Sequence, residues 1–186
     1  GPFSRTMHFA WTEAARAALD EDVRITATDL NPPMLDLARS KRGHLAGVEF
    51  RDADAQELPY LDAYFDTLFC QFGWMFLPDK ALGFREAIRV LKPGGLLAFN
   101  VWDSLERNPI VALAHETIGG FFATDPPQFL TVPFGWYDHD VIRAHVEDAG
   151  FADISIEAVP NDASHPSAAD LAYGLVHGNP SILEIE

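Results

Sequence analysis

The sequence predicts an α/β protein with a doubly wound, mostly parallel β-sheet and helices on both faces. Strand-like and helix-like segments alternate through residues 13–102, which is typical of a parallel sheet built by crossover connections. The β-branched run at residues 25–28 ends in Asp29, and a helix start follows directly at Asn31. Residues 66–71 are almost continuously apolar, as expected for a strand that is buried on both faces.

Hydrophobic spacing and capping residues predict seven elements in the first half of the chain. They are helices over 13–19, 32–41 and 79–91, and strands over 23–28, 48–51, 66–71 and 96–102. The second helix has a good start, because Asn31 is a preferred N-cap and Pro32 occupies the first helical position, where its missing N–H costs nothing. The third begins after the cap Asp79 and ends at Lys92-Pro93-Gly94-Gly95, since proline cannot continue a helix.

The second half of the chain has a different pattern. We predict helices over 108–122 and 138–149, a strand over 151–159 and a last short helix opened by the capping box at residues 167–170. Residues 124–136 are rich in proline and aromatic residues and have no clear period. We expect one domain over residues 1–186, with residues 103–137 inserted as a substrate lid.

Composition excludes several classes of protein. The chain has 186 residues, 48% of them hydrophobic, and a formal net charge of −15, which argues against a nucleic-acid partner because phosphate binding needs clustered cations. The basic spot at residues 39–42 is interpreted as a solvated helix end. The single cysteine, Cys70, excludes a disulfide framework, and we interpret it as a buried small hydrophobe. No apolar run reaches the roughly 18 residues of a membrane span, so we expect a cytoplasmic protein without a membrane partner.

Asp29 is the candidate binding residue that the pattern predicts most directly. It should lie at the carboxyl end of a parallel strand, facing the crevice where open α/β sheets bind ligands. An acid at this place typically accepts hydrogen bonds from the two ribose hydroxyls of a nucleotide. The sequence therefore indicates a nucleoside-containing cofactor, although a plain capping role for Asp29 remains open.

Several motifs, in this order, resemble the Rossmann-like class I S-adenosylmethionine-dependent methyltransferases of the small-molecule group. The resemblance runs from about residue 12 to residue 160 and is carried by Asp29-Leu30-Asn31-Pro32-Pro33-Met34-Leu35, Arg51-Asp52-Ala53-Asp54-Ala55, Leu58-Pro59, Phe65-Asp66, Cys70-Gln71-Phe72-Gly73, Arg89 to Gly95 and Ala149-Gly150-Phe151. Any one of these motifs is weak evidence for the family, whereas their common order and spacing are specific to it.

The resemblance implies S-adenosylmethionine as cofactor, and it implies a role for seven residues. Asp29 would bind the ribose hydroxyls, with Leu30 and Met34 packing near the adenosine. Asp54 would accept a hydrogen bond from the adenine amino group, with the backbone of Ala55 beside the ring; Asp52 is its nearest competitor. Gln71 and Phe72 would lie near the methionine part and the transferred methyl group, although Gln71 could also be a simple strand-end hydrogen bonder.

The acceptor site is predicted less sharply. Aromatic walls are typical of small-ligand pockets, so we assign Trp74, Trp102, His115 and Trp136 to a substrate pocket, while core packing explains the aromatic residues about equally well. No catalytic residue is assigned. His115 is a candidate general base in the lid, His139 is interpreted as structural and His145 as a surface residue. The sequence has no metal-ligand spacing, and we expect a small-molecule acceptor and leave a homodimer open.

Two expected segments are missing from the pattern. The resemblance demands a glycine-rich loop after a first strand, yet no glycine lies between Gly1 and Gly43; it also demands a final antiparallel strand after Val159. We favour omission of these segments from the chain, with a join near residues 8–12, over a degenerate protein, because deleting a central strand would expose a wide apolar surface.

Three functions remain open at this point. The first is methyl transfer from S-adenosylmethionine to a small molecule. The second is an inactive methyltransferase-like binding or regulatory protein, which the missing glycine loop favours. The third is a nicotinamide-dependent oxidoreductase, because an acid after the second strand also suits the ribose of a nicotinamide cofactor. The absence of a G-x-G-x-x-G motif weakens this third hypothesis.

Overall fold

The computed structural model describes residue 12, residues 14–162, residue 164 and residues 166–177. The chain divides between Pro59 and Tyr60 into two compact units. Each unit holds one two-stranded parallel sheet with a helical crossover. The α/β class with parallel strands is confirmed, and the parallel pairing is confirmed for four strands. The predicted join near residues 8–12 lies outside the described residues except for Thr12.

The first unit is one β–α–β crossover preceded by a helical stretch at residues 14–18. Its elements are β1 (Ile25–Asp29), α1 (Pro32–Arg42) and β2 (Val48–Asp52). The two strands pair in register from Ile25 opposite Val48 to Asp29 opposite Asp52. Helix α1 contacts both strands and buries Leu35 and Ala38, one turn apart on the same helix face.

The second unit contains the larger part of the fold. Its elements are β3 (Phe65–Gln71), α2 (Lys80–Val90), β4 (Leu91–Asn100), α3 (Pro109–Gly119), α4 (His139–Asp148) and α5 (Ala168–His177), with short 3₁₀ turns at Trp74–Phe76, Leu105–Arg107 and Phe129–Thr131. Strands β3 and β4 are parallel, and α2 is the crossover between them. The predicted elements of this unit, except for one strand, are therefore present with boundaries that shift by a few residues.

An aromatic core holds the second unit together. Phe84 of α2 is fully buried, and its ring stacks on Trp74 with the ring centroids 4.3 Å apart. Phe99 of β4 lies 5.3 Å from Trp74, and Trp136 lies 6.1 Å from Phe84. Helix α4 adds Ile142 and the other apolar residues of its inner face to the same cluster. Full burial of an aromatic side chain stabilises a fold by roughly 1.5–3 kcal/mol, so these rings account for much of the packing.

The predicted caps hold for three helices and differ for a fourth. Asp79 accepts a hydrogen bond from the Leu82 N–H, Asp138 accepts from the N–H groups of the first turn of α4, and Ser167 Oγ accepts from the Asp170 N–H. Asn31 stands at the N-cap of α1, but its side chain makes no capping bond. Instead, Asp29 Oδ1 accepts from the Asn31 N–H at 2.8 Å.

The structure includes residues 92–95 in β4 itself, as an irregular turn where the pairing with β3 shifts, whereas the sequence predicts a turn before the strand. Gly94 has φ +76°, a conformation that favours glycine. The register shifts at this place, where Leu91 pairs with Phe65 and Leu96 pairs with Thr67. Lys92 Nζ lies 2.7 Å from the Asp66 carboxylate across the turn. The glycines are thus needed for backbone geometry.

The strand predicted over residues 151–159 is wrong. This segment has no ladder partner in the part of the chain that the structure describes, and the carbonyl of Ile154 accepts from the Arg143 guanidinium at 3.2 Å. Phe151, Ile154 and Ile156 still pack against the core. The alternating pattern therefore indicates only that one side of the segment is buried. A strand would also require a neighbouring strand to which its backbone could hydrogen-bond.

No helix within the described ranges is both long enough and apolar enough to cross a membrane. This finding agrees with the absence of a long apolar run in the sequence.

We predict that Gly95→Ala destabilises the protein by about 1–3 kcal/mol. An added Cβ would lie 2.9 Å from the Lys92 carbonyl oxygen and 3.0 Å from that of Asp66, so the backbone of the turn would have to move. Urea unfolding followed by circular dichroism measures the change. Gly120→Ala is the control, because its Cβ would meet nothing nearer than 3.5 Å and its φ is −64°. Equal midpoints for Gly95→Ala and the wild type would contradict the assigned strain.

Candidate cofactor and acceptor site

In the first unit, the ends of the two parallel strands bring two acidic residues together. Asp29 and Asp52 are register partners at the carboxyl ends of β1 and β2. The backbone N–H of Ala53 donates to the Asp29 carbonyl at 3.2 Å, which ties the turn after β2 to the end of β1. Asp29 is half-buried, and its bond to the Asn31 N–H fixes the direction of the carboxylate. The sequence prediction for the position of Asp29 is therefore confirmed.

Apolar surface lies next to Asp29. Leu30 follows it directly and is 69% exposed. Met34 lies in the first turn of α1 and is half-buried. An adenosine could cover such a surface, since nucleoside bases are planar and largely apolar on their faces.

Asp54 and Ala55 lie in a tight turn after β2. Asp54 Oδ1 accepts from the Gln56 N–H at 2.8 Å, and the Asp54 carbonyl accepts from the Glu57 N–H at 3.0 Å. Both Asp54 and Ala55 are half-buried, whereas Asp52 is exposed. A turn with two local hydrogen bonds is preorganised, so the geometry favours Asp54 over Asp52 as the residue with a fixed carboxylate.

In the second unit, β3 ends at an unsatisfied polar side chain. Gln71 is the last residue of β3 and is half-buried, yet its Oε1 atom is buried and has no hydrogen-bond partner among the residues that the structure describes. A buried carbonyl oxygen without a partner costs about 1–3 kcal/mol. Such an atom at the carboxyl end of a parallel strand is typical of a site that a ligand completes.

Phe72 follows in a strained conformation. Its φ is +51°, which is costly for a residue with a bulky side chain. The backbone N–H of Phe72 is bonded to two oxygens of Asn100, the carbonyl at 3.1 Å and Oδ1 at 3.0 Å. Strain held in this way is found at binding and catalytic sites more often than elsewhere.

A stack of aromatic rings continues from Phe72. Its ring lies parallel to that of Trp102, with centroids 4.3 Å apart and an interplanar angle of 18°. Phe134 stacks next to Trp102 at 5.9 Å. Phe72 and Trp102 are half-buried, and Phe134 is buried. We call these three residues the aromatic wall; it lies just beyond the carboxyl ends of β3 and β4.

The other predicted pocket residues are distributed differently. Trp74 and Trp136 are only 2% and 8% exposed and belong to the hydrophobic core, although the indole N–H of each finds no hydrogen-bond partner in the described part of the chain. His115 is half-buried on α3. Of the four predicted pocket residues, only Trp102 contacts Phe72 in a stacked arrangement.

His139 and His145 make no ring contact with the aromatic wall in the part of the chain that the structure describes. His139 begins α4 and is exposed. His145 was predicted on the surface but is half-buried: its ring meets the Trp136 ring edge-on at 5.9 Å, and its Nδ1 lies 2.8 Å from the Val141 carbonyl oxygen. Packing against a core tryptophan explains the difference.

An open groove of about 400 Å³ lies at the edge of the predicted lid. Asp103, Arg107 and Tyr137 line it, together with the first residues of α4. Arg107 Nε lies 3.6 Å from the Asp103 carboxylate. The groove is mainly charged, and none of the three residues of the aromatic wall lines it.

Sequence reasoning missed Asn100. It is the last residue of β4 and the register partner of Gln71. Aligning the two strands by their apolar runs would have placed a polar residue at each strand end, which is the only sequence signal for it.

The chain is similar to known methyltransferases in sequence and in fold. Residues 10–99 match the family model of a methyltransferase domain. The ubiquinone/menaquinone biosynthesis C-methyltransferase of Proteus mirabilis is 30% identical over 148 residues, which cover 73% of this chain and 59% of that protein. The demethylmenaquinone methyltransferase of Staphylococcus haemolyticus is 27% identical and covers 80% of this chain and 66% of that protein. These similarities support the predicted resemblance to the class I S-adenosylmethionine-dependent methyltransferases.

Two solved structures are similar to this chain in fold. A methyltransferase from Aquifex aeolicus has a TM-score of 0.56 at 22% identity and covers 75% of this chain and 65% of that one. The YcgJ protein of Bacillus subtilis has a TM-score of 0.56 at 18% identity and covers 87% of this chain and 65% of that one. The chain thus spans about two thirds or less of the length of these proteins. None of the relatives named here is an oxidoreductase.

The residues present fit the family's cofactor, S-adenosylmethionine. The first unit offers a fixed carboxylate, exposed apolar surface and a preorganised acidic turn. The second unit offers the buried Oε1 atom of Gln71, which has no hydrogen-bond partner within the described ranges. A carboxylate suits ribose hydroxyls, and an amide oxygen suits an ammonium group. The predicted cofactor residues are thus chemically suited to such a ligand.

We predict that Asp29→Ala weakens the binding of S-adenosylhomocysteine by about 10- to 100-fold, because hydrogen bonds to a charged group contribute roughly 1.5–3 kcal/mol. Titration calorimetry measures the dissociation constant. Asp36→Ala is the matched control, since it removes another carboxylate of the first unit whose partner is the surface Arg39. Equal affinity of Asp29→Ala and Asp36→Ala would remove Asp29 from the site.

Cys70 gives a pH-dependent prediction. The side chain is half-buried against the core, and burial raises the pKa of the thiol, although the backbone N–H groups of Gly73 and Trp74 partly oppose this. Because the thiolate is the reactive form, iodoacetamide at pH 8 should alkylate the native protein at least about tenfold more slowly than the urea-unfolded protein. Mass spectrometry follows the reaction, and Cys70→Ser is the blank.

The same pKa shift sets the sign of a stability change. A raised folded-state pKa disfavours the thiolate, so stability is retained below the ordinary thiol pKa and declines as pH rises through the folded-state value. Similar alkylation rates for the native and unfolded protein would contradict the burial of this thiol.

Proposed function

We propose that the protein transfers the methyl group of S-adenosylmethionine to a small-molecule acceptor. The observation that carries the proposal is the placement of Asp29 at the carboxyl end of β1, directly before a helix, within the residues that match a methyltransferase domain. Similarity to two quinone-pathway methyltransferases supports the same reaction class.

Each proposed binding residue has one task in this function. Asp29 would bind the ribose hydroxyls, Leu30 and Met34 would pack on the adenosine, and Asp54 with the Ala55 backbone would hold the adenine edge. Gln71 would accept from the amino-acid end of the cofactor, which would satisfy its buried Oε1 atom.

The chemistry needs little from the protein beyond placement. When bound, S-adenosylmethionine supplies an electrophilic methyl group on a sulfonium. The protein residues would hold donor and acceptor in line and exclude water, which is where most of the rate enhancement of such a reaction arises. His115 is the proposed general base for an acceptor that has to lose a proton, because it is half-buried on the predicted lid.

We further propose a planar aromatic acceptor of the quinol type. The half-buried rings of Phe72 and Trp102 offer a flat face, and aromatic pairs favour such stacking. The names of the Proteus and Staphylococcus relatives point to quinone precursors as well. A quinol is the electron-rich form of a quinone, so it is the form suited to attack an electrophilic methyl group.

The proposed function predicts turnover with a defined probe. Wild-type protein incubated with S-adenosylmethionine and dithionite-reduced demethylmenaquinone should form S-adenosylhomocysteine and methylated quinol in equal amounts, measured by mass spectrometry. A reaction without acceptor corrects for hydrolysis. Asp29→Ala should slow turnover about 10-fold or more at low cofactor concentration, through the affinity loss given above, whereas Asp36→Ala should not.

The possible results separate cofactor from acceptor. Failure to bind S-adenosylhomocysteine would refute the methyltransferase function of this chain. Binding without methylation of the quinol would refute the quinol acceptor and return the inactive binding protein as the better reading. A cytoplasmic location, a homodimer and the absence of a nucleic-acid partner stay predictions of the sequence.

A further inference from the structure

We propose that Asn100 is a positioning residue that holds the aromatic wall in place to receive the acceptor. The inference deepens the proposed function and rests on it, because the wall is the surface proposed for the acceptor. Nothing in the sequence pattern assigned a role to this residue.

The hydrogen bonds of Asn100 carry the first step of the argument. In the parallel pair, Gln71 lies opposite Asn100 and both strands end there. The Phe72 N–H donates to two oxygens of the same residue, the Asn100 carbonyl and the Asn100 side-chain Oδ1. A regular parallel ladder supplies one acceptor for each N–H, so the side-chain bond is an addition at the strand end.

The conformation of Phe72 carries the second step. With φ at +51°, Phe72 occupies a region that costs about 1–3 kcal/mol for a non-glycine residue and persists only where surrounding contacts fix it. The contacts around it include the two bonds to Asn100, the stack on Trp102 and packing against the hydrophobic core. Residue 73 is constrained too, since a Cβ added to Gly73 would lie 2.7 Å from Cys70 Sγ.

The orientation of the ring carries the third step. The left-handed turn at Phe72 directs its side chain onto Trp102, at 4.3 Å and 18°. Without the Asn100 side chain, Phe72 can relax toward an ordinary backbone conformation while its N–H keeps the Asn100 carbonyl. Because a side chain moves with its backbone, the Phe72 ring would then leave Trp102, and the flat face would be lost while the β3–β4 pair remains.

The test compares Asn100→Leu, Asn100→Ala and Asn100→Asp. Leucine is similar in size but has no acceptor, alanine serves if leucine prevents folding, and aspartate keeps an oxygen at the same place. Asn108→Ala is the matched control: the Asn108 side-chain amide also bonds to the backbone, although as a donor to the carbonyls of Asp103 and Ser104 and outside the wall.

The first readout needs no ligand. The indole N–H resonance of Trp102, assigned by comparison with Trp102→Phe, reports the Phe72 ring through its ring current. We expect the resonance to shift in Asn100→Leu and Asn100→Ala, and to stay at the wild-type position in Asn100→Asp and Asn108→Ala. An unchanged resonance in both Asn100→Leu and Asn100→Ala overturns the proposal.

The second readout is binding of 1-naphthol, a stable planar aromatic probe, followed as its shift of the same resonance. We expect affinity about tenfold weaker in Asn100→Leu, restored in Asn100→Asp, with S-adenosylhomocysteine affinity changed by less than about twofold. Equal losses of affinity for 1-naphthol and S-adenosylhomocysteine would mean that Asn100 has a general structural role, and this result would also overturn the proposal. These readouts do not need turnover, so an inactive wild type would count against the proposed function and not against the role of Asn100.

Discussion

The parallel pairing of consecutive strands is the constraint on which the rest of the structure depends. Parallel strands need a crossover, and α1 and α2 provide one in each unit. Because both strands of a pair then run in the same direction, their carboxyl ends reach the same edge. This edge collects Asp29 with Asp52 in the first unit, and Gln71 with Asn100 in the second. Polar groups distant in sequence therefore become neighbours without any loop having to bring them together.

The aromatic residues of the second unit divide into two sets with different physical roles. Trp74, Phe84, Phe99 and Trp136 fill the space between sheet and helices, where their main contribution is apolar burial. Phe72 and Trp102 lie beyond the strand ends and keep part of their surface exposed. The division follows burial and not strand position, because Trp74 and Trp136 also lie outside the strands and are nevertheless buried.

Much of the fold was predictable because its signals are local. The cap Asp79, the cap Asp138 and the glycine turn after α2 each depend on a few consecutive residues, so composition and spacing suffice. Residues 151–159 show the limit of this reasoning. Alternation predicts which side chains face the core, and Ile154 and Ile156 do pack there, but a strand also needs a partner whose presence no local pattern reports.

The sequence by itself determined most of the element order, the parallel crossovers and the acid at the end of β1, because hydrophobic period and capping chemistry are properties of short segments. Only the tertiary structure decided that Trp74 and Trp136 lie in the core while Trp102 stacks on Phe72, since all three look alike in an aromatic-rich sequence. It also decided the role of Asn100. Asn100 bonds to Phe72, which has a left-handed backbone conformation and lies 28 positions earlier in the sequence. This contact arises from the strand register, which depends on packing over the whole β–α–β unit.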